Sequence, residues 1–168
     1  MIRAVALAGA LVATVAPAAA EPVEVGPATL ALAPAWSGEP AAASPAPADT
    51  PLVRRHRDGA VLTVSRAPVG NLDAWRSKTR GAYLDAVEAG FLGPGTVRLG
   101  GARPRLGKAE VPVLDLTFRR TAGGTTEVVA VRVLLFRTVT IAAAAAAPDT
   151  RAGRRLVEAA VATLAPTK

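Results

Sequence analysis

Residues 110–136 constrain the fold more than any other part of the chain. Two runs rich in Val, Leu and Phe, residues 110–120 and 126–136, flank Gly123-Gly124. Adjacent glycines between strand-like runs predict a two-residue hairpin turn, because that turn needs positive φ at both positions. The turn then sets every partner. Leu114 faces Val133, Leu116 faces Val131 and Phe118 faces Val129. Side chains alternate along a strand, so these six project from one face. Asp115 meets Arg132 on the opposite face, and Arg120 meets Glu127 at the turn end. One register satisfies three apolar pairs and two ion pairs, and a slip by one residue would turn the apolar set to the wrong face. Asp115 with Arg132 reads as a cross-strand ion pair and not as a reactive site.

A second hairpin is predicted over residues 52–57 and 60–66, around Asp58-Gly59. A two-residue turn there places Arg57 opposite Ala60, His56 opposite Val61 and Arg55 opposite Leu62. Leu62 and Val64 then share one face and Val61 takes the other. Asn71 is a fitting N-cap for a helix over residues 72–89, closed by Gly90. Leu72, Trp75, Thr79, Tyr83, Ala86 and Val87 line its inner face, with Lys78, Asp85 and Glu88 outside. Trp75 and Tyr83 read as core anchors. A short strand over residues 96–99 precedes a turn or loop, residues 100–107. Another strand, residues 138–147, ends at Pro148, and its alanines let a helix pack closely over the sheet. Asp149 caps a final helix over residues 150–164. Its inner face holds Ala152, Leu156, Ala159, Ala160, Thr163 and Leu164, with Arg151, Arg154, Arg155 and Glu158 toward water.

The start of the chain reads differently. Arg3, an apolar run of about 12 residues, Pro17 and then Ala18-Ala19-Ala20 form the three-part pattern of a secretory leader. The run is shorter than the ~20 residues a spanning helix needs. Residues 1–20 are therefore expected to be a signal peptide cleaved after Ala20, the alternative being an uncleaved anchor. No transmembrane segment is expected after cleavage. Residues 21–51 hold a short strand (28–32), Pro34, Trp36 and a Pro/Ala-rich extended stretch over residues 37–51. The strand and Trp36 favour a loop inside a single domain that begins near residue 25, with its main part at residues 52–168. The alternative is a tether ending at Pro51.

The order of elements resembles the PsbP/DcrB-like superfamily of small secreted or periplasmic α/β domains. The residues that carry the resemblance are Leu32-Ala33-Pro34-Ala35-Trp36, the hairpin at Asp58-Gly59 and the helix entered at Asn71. After these come the strands at Val111-Pro112-Val113 and Val131-Arg132-Val133, a further strand and the terminal helix. The resemblance spans roughly residues 25–166 and carries no catalytic motif. It implies an α+β fold, a central antiparallel sheet with helices packed on its faces, and an accessory or binding role. The chain departs from the pattern in its long Pro/Ala stretch and in the near absence of a turn between Phe136 and Thr138. No position of this chain matches a metal-binding or partner-binding residue of the family.

Reactive chemistry is sparse. The chain has no cysteine and one histidine, which excludes thiolate nucleophiles, disulfides and clustered histidine metal sites. A Ser-His-Asp set would need His56 beside Ser37, Ser44, Ser65 or Ser77, and the predicted hairpin gives it no serine partner. It reads instead as a surface histidine on a basic strand. Asp73, Asp85, Glu88, Glu110 and Asp115 lie on different elements and are not expected to converge as paired acids. No cofactor is expected. Lys and Arg number 20 against 13 acidic residues, a net charge of +7, which favours anionic partners. Aromatic residues are only 4%, so base-stacking platforms and nucleic-acid binding are not expected. The candidate partner-binding residues are Arg54, Arg55 and Arg57 on the first hairpin, and Arg103, Arg105 and Lys108 after the short strand. The expected function is that of an exported non-catalytic accessory or binding protein of the cell envelope, meeting an envelope protein or an anionic envelope component. Two alternatives stand beside it: a small exported hydrolase with an unplaced carboxylate, and a nonspecific binder of anionic lipid or polymer.

Overall fold

The structure, a computed structural model, describes residues 21–38, 52–69, 77–102 and 111–167. The expected leader, the Pro/Ala stretch beyond Gly38, Asn71, Leu72, Trp75 and residues 103–108 lie outside the described residues.

The strands are β1 (Glu21–Val25), β2 (Ala28–Leu32), β3 (Trp36–Gly38), β4 (Leu52–His56), β5 (Val61–Pro68), β6 (Thr96–Ala102), β7 (Val113–Ala122), β8 (Thr125–Leu135), β9 (Val139–Pro148) and β10 (Ala165–Pro166). The helices are α1 (Ser77–Phe91) and α2 (Arg151–Ala162). A seven-stranded sheet runs β3-β4-β5-β9-β8-β7-β6, and a small sheet runs β1-β2-β10. Every recorded strand pair is antiparallel. The fold is α+β, with an antiparallel sheet at its centre.

The β7–β8 hairpin has the register read from its glycines, from Val113 opposite Leu134 to Ala122 opposite Thr125. Leu114, Leu116, Phe118, Val129, Val131 and Val133 are all buried, in one cluster with Leu84 of α1. Helix α1 covers this face. The Tyr83 hydroxyl reaches the Thr140 Oγ1 at 3.0 Å. The opposite face carries Leu62, Val64, Val128, Ala130, Leu134 and Ile141, covered by α2 and by Ala28, Leu30 and Leu32 of the small sheet. Alternation splits the alanines of β9 between the two faces. Ala143, Ala145 and Ala147 lie under α2, and Ala142, Ala144 and Ala146 face the other way. These small side chains let α2 approach closely: a Cβ on Gly153 would lie 3.3 Å from the Ala147 Cβ, and 2.3 Å from the Pro148 carbonyl oxygen just before the helix.

Several expectations are corrected. The Asp58-Gly59 turn has three residues, Arg57 to Gly59, so Arg55 faces Val61, Arg54 faces Leu62 and His56 meets Ala60. Gly59 has φ of +84°, while no described non-glycine residue has positive φ. Asp58 therefore does not take the left-handed position that a two-residue turn asks of it. Helix α1 runs through Gly90 to Phe91, where the Leu92 N–H still bonds the Glu88 carbonyl at 3.0 Å. On that helix Leu84 and Glu88 are buried and Ala86 is exposed. Glu88 turns inward because Arg98 of β6 meets its carboxylate. Gly100 and Gly101 belong to β6, past a register shift at Leu99.

Thr150, not Asp149, caps α2, its Oγ1 accepting the Gly153 N–H at 2.9 Å. Asp149 instead accepts from Arg119 at 2.5 Å. The buried stripe of α2 is Gly153, Val157, Ala160 and Val161, while Ala152 and Ala159 are exposed. Glycine in the first turn lets the helix rotate until the two valines point inward. Trp36, Ser37 and Gly38 form a strand on β4, and β1 and β10 are elements the sequence patterns did not announce. The short link after Phe136 does close a hairpin, with the Phe136 N–H on the Val139 carbonyl at 2.9 Å.

Candidate anion-binding cleft

The three arginines of the first hairpin do not share a face. Arg54 turns to the α2 side with Leu62, is half-buried, and donates from Nη1 to the Val53 carbonyl at 3.0 Å. Arg55 turns the other way with Val61 and is exposed. Arg57 sits in the turn, exposed, with its N–H 3.4 Å from the Ala35 carbonyl oxygen. Alternation along β4 separates Arg54 from Arg55, and the three-residue turn moves Arg57 out of the ladder.

Arg55 and Arg57 nonetheless border one open cleft of about 510 Å³, together with Pro34, Ala35, Ser37 and His56. The β2–β3 turn supplies one wall and the end of β4 the other. Arg55 and Ser37 share one face of β3 and β4 there, the His56 ring turns to the other face with Trp36, and no carboxylate is among the described lining residues. Arg57 meets no carboxylate among the described residues. By contrast, Arg98, Arg119, Arg120, Arg132 and Arg154 are each paired with an acid.

His56 is not a surface residue. Its side chain is 8% exposed. Its ring meets the edge of Trp36 at a centroid distance of 5.1 Å and an interplanar angle of 60°. Nδ1 accepts the Asp58 N–H at 3.2 Å and lies 3.5 Å from Asp58 Oδ2. Trp36 reaches the ring because β3 pairs Trp36 directly with His56. Sequence reasoning missed this contact: a three-residue strand carries too little alternation to be seen.

Arg103, Arg105 and Lys108 lie outside the described residues. Their segment leaves from Ala102 of β6, at the opposite edge of the large sheet from β3 and β4. The candidate acids do not converge either. Glu88 is paired with Arg98, Asp115 with Arg132 at 2.7 Å, and Asp85 is exposed; Asp73 and Glu110 lie outside the described residues. No group of three His, Asp or Glu residues gathers as a metal site among the described residues. A second depression, about 420 Å³, lies over the α1-side face of the sheet. Its floor includes Val61, Thr63, Val129, Ala144 and Ala146, and its rim holds the paired Arg120 and Glu127.

The α+β fold that the resemblance implied, a central antiparallel sheet with helices on its faces, is the fold observed, and solved structures that include a cyanobacterial PsbP share it. The chain is similar to the solution structure of cyanobacterial PsbP (CyanoP) from Synechocystis sp. PCC 6803. The TM-score is 0.59 and the identity 15%, with 92% of this chain and 96% of that one covered. It is likewise similar to the crystal structure of LpqN, involved in cell envelope biogenesis of Mycobacterium tuberculosis. There the TM-score is 0.55 and the identity 15%, with 89% and 86% covered. No protein-family model matches the chain, and no curated protein matches it significantly by sequence. No helix among the described residues is long and apolar enough to cross a membrane.

Proposed function

We propose that this chain is an exported, non-catalytic accessory protein of the cell envelope that binds an anionic envelope component through the basic end of the β4–β5 hairpin. One observation carries the reading: the cleft at the end of β4 is bordered by Arg55, Arg57, His56 and Ser37, with no acid among its described lining residues. A low-dielectric wall beside such a cleft focuses positive potential on whatever enters it. Pro34 and Ala35 supply that wall. The leader-like residues 1–20 support export. The involvement of the structurally similar LpqN in cell envelope biogenesis supports the location. Arg103, Arg105 and Lys108 are offered as a further set of basic residues for the same kind of partner.

The test is capture from an envelope fraction by the intact exported protein, at low and high salt. Binding carried by exposed charge weakens with salt, because screening acts over a Debye length of ~8–10 Å. Reversing both cleft charges, Arg55→Glu with Arg57→Glu, is expected to weaken capture about tenfold at low salt. Reversal of Arg103, Arg105 and Lys108 is expected to weaken it less. Capture that is indifferent to salt and to both sets of changes would refute the reading.

A further inference from the structure

We infer that the far end of β5 holds a phosphate-binding pocket built on Arg66, a site that does not rest on the cleft at the end of β4. Pro68 closes β5 roughly 23 Å along the strand from Val61, the end that adjoins the β4–β5 turn. There Pro27, Arg66, Pro68, Thr138 and Val139 line a pocket of about 310 Å³. Three parts of the chain meet in it. Pro27 comes from the β1–β2 turn, Arg66 and Pro68 from the end of β5, and Thr138 and Val139 from the entry to β9. No carboxylate is among its described lining residues.

The pose of Arg66 sets the chemistry. Alternation puts it on the same face of β5 as Leu62 and Val64, but at the strand end it is exposed. A Cβ built on Gly26 would lie 3.6 Å from Nε, Cζ and Nη1 of Arg66 alike. Equal distances to three atoms of one plane place that point over the face of the plane. The guanidinium therefore lies flat against the glycine of the β1–β2 turn. Stacking covers one face and leaves the rim, which carries five N–H donors. No carboxylate or carbonyl among the described residues accepts from them. Two carbonyls of the pocket residues are already engaged. That of Pro27 accepts the Thr167 N–H at 2.9 Å, and that of Thr138 accepts the Val69 N–H at 3.1 Å. The Thr138 side chain is exposed, and its hydroxyl is without a partner among the described residues. A guanidinium offers two parallel N–H groups to two oxygens of an oxyanion. The Thr138 hydroxyl adds a third donor from a different strand. Three donors match the three free oxygens of a phosphate monoester or of inorganic phosphate, whereas a carboxylate has only two oxygens. Pro27, Pro68 and Val139 give apolar walls, beside which charge-assisted bonds are stronger than in open water. A bound phosphate would tie the small sheet, through Pro27, to the large one.

The test is a titration of the intact protein with inorganic phosphate at fixed pH and ionic strength, followed by amide NMR shifts with chloride as the control. Saturable shifts are expected at Gly26, Val69, Thr138 and Val139 with phosphate, and none with chloride. Arg66→Gln is expected to weaken binding about tenfold, its otherwise unchanged spectrum showing that the fold is kept. Arg66→Lys keeps the charge but lacks the planar fork, and it is expected to bind several-fold more weakly than the native protein. Thr138→Val removes the third donor at equal volume and is expected to cost about threefold. Arg55→Glu with Arg57→Glu is expected to leave these shifts unchanged, so failure of this site and failure of the cleft are told apart. Glycerol phosphate, a monoester, and phosphatidylglycerol vesicles, a diester surface, distinguish the source of the group. Binding of inorganic phosphate and of the monoester supports the assignment. Vesicle binding that depends on Arg66, with no binding of either small phosphate, would overturn the three-oxygen contact. The absence of saturable shifts, or equal binding by Arg66→Gln, would overturn the site.

Discussion

The two hairpins of the large sheet carry similar signals and turn differently. Each has a glycine-containing pair between strand-like runs. At Gly123-Gly124 both residues hold positive φ, +57° and +79°, and the strands pair directly up to the turn. At Asp58-Gly59 only Gly59 does, so Arg57 joins the loop and every partner along β4 shifts by one. A residue with a Cβ enters the left-handed region at a cost of about 1–2 kcal/mol, and a three-residue loop avoids that cost at Asp58. Packing then selects the register. Strand β5 is held by eight partners on β9, so Leu62 and Val64 stay inward whatever β4 does. The observed register puts Leu52 and His56 on that same inward face, where Leu52 joins the apolar cluster and His56 meets Trp36. The lesson is that a glycine pair specifies a turn fully only when both members can adopt positive φ.

The strongest way to break this comparison is to empty a core position in each hairpin. Leu114 is fully buried among side chains from β8 and α1. Leu114→Ala is expected to lower stability by about 3 kcal/mol, transfer and cavity together. Leu52 is only half-buried at the edge of its cluster, and Leu52→Ala is expected to cost about 1 kcal/mol. Urea unfolding of both variants measures the difference. Equal losses would mean that β4 is bound into the core as firmly as β7.

Legibility in the sequence follows the same division. The β7–β8 register and the presence of β9 and the final helix rest on long runs whose patterns are plain in the sequence, although the helix's buried stripe and cap were not read correctly. The PsbP-like architecture was visible in the order of those elements. What escaped notice was short or carried by tertiary contact. β3 and β10 have three and two residues, too few for a periodic signal, and β1 is hidden by Pro22 and two glutamates among its five residues. Glu88 looked like a solvent residue because its partner, Arg98, lies on another element. Asp149 looked like a cap because Asp and Thr are both good caps; the cross-strand pull of Arg119 decided between them. Of the candidate site, the charge of Arg55 and Arg57 was legible. The burial of His56 and its contact with Trp36 were not, since they depend on the three-residue β3.

Alanine scanning of the two turns sharpens the contrast at smaller magnitude. Gly123→Ala and Gly124→Ala are each expected to cost about 1 kcal/mol, because both positions need positive φ. Gly59→Ala is expected to cost a similar ~1 kcal/mol, whereas Asp58→Ala should stay within ~0.5 kcal/mol as an exposed residue with ordinary backbone. Thermal or urea unfolding reads all four. Matching losses at Asp58 and Gly59 would restore a two-residue turn and undo the observed register.

The smallest effect concerns the ion pairs that the β7–β8 hairpin uses across its strands. Arg132 grips Asp115 with two bonds, 2.7 and 3.0 Å, and its Nη1 also reaches the Ala162 carbonyl at the end of α2, at 2.7 Å. Arg120 holds Glu127 by one bond of 2.8 Å, nearer solvent. A double-mutant cycle on Asp115 and Arg132 is expected to give a coupling of about 0.5–1 kcal/mol, and one on Arg120 and Glu127 about 0.2–0.5 kcal/mol. Single truncation of Arg132 should exceed its coupling, because the α2 carbonyl loses a donor as well. High salt should erase the Arg120 term first, since that pair is the less shielded. These terms are small beside the three apolar pairs that they accompany. If removing both ion pairs left the register unchanged in amide exchange, the apolar face alone would be shown to hold it. The first hairpin, with Leu52 opposite Val64 as its clearest apolar pair, would then be the more readily shifted of the two.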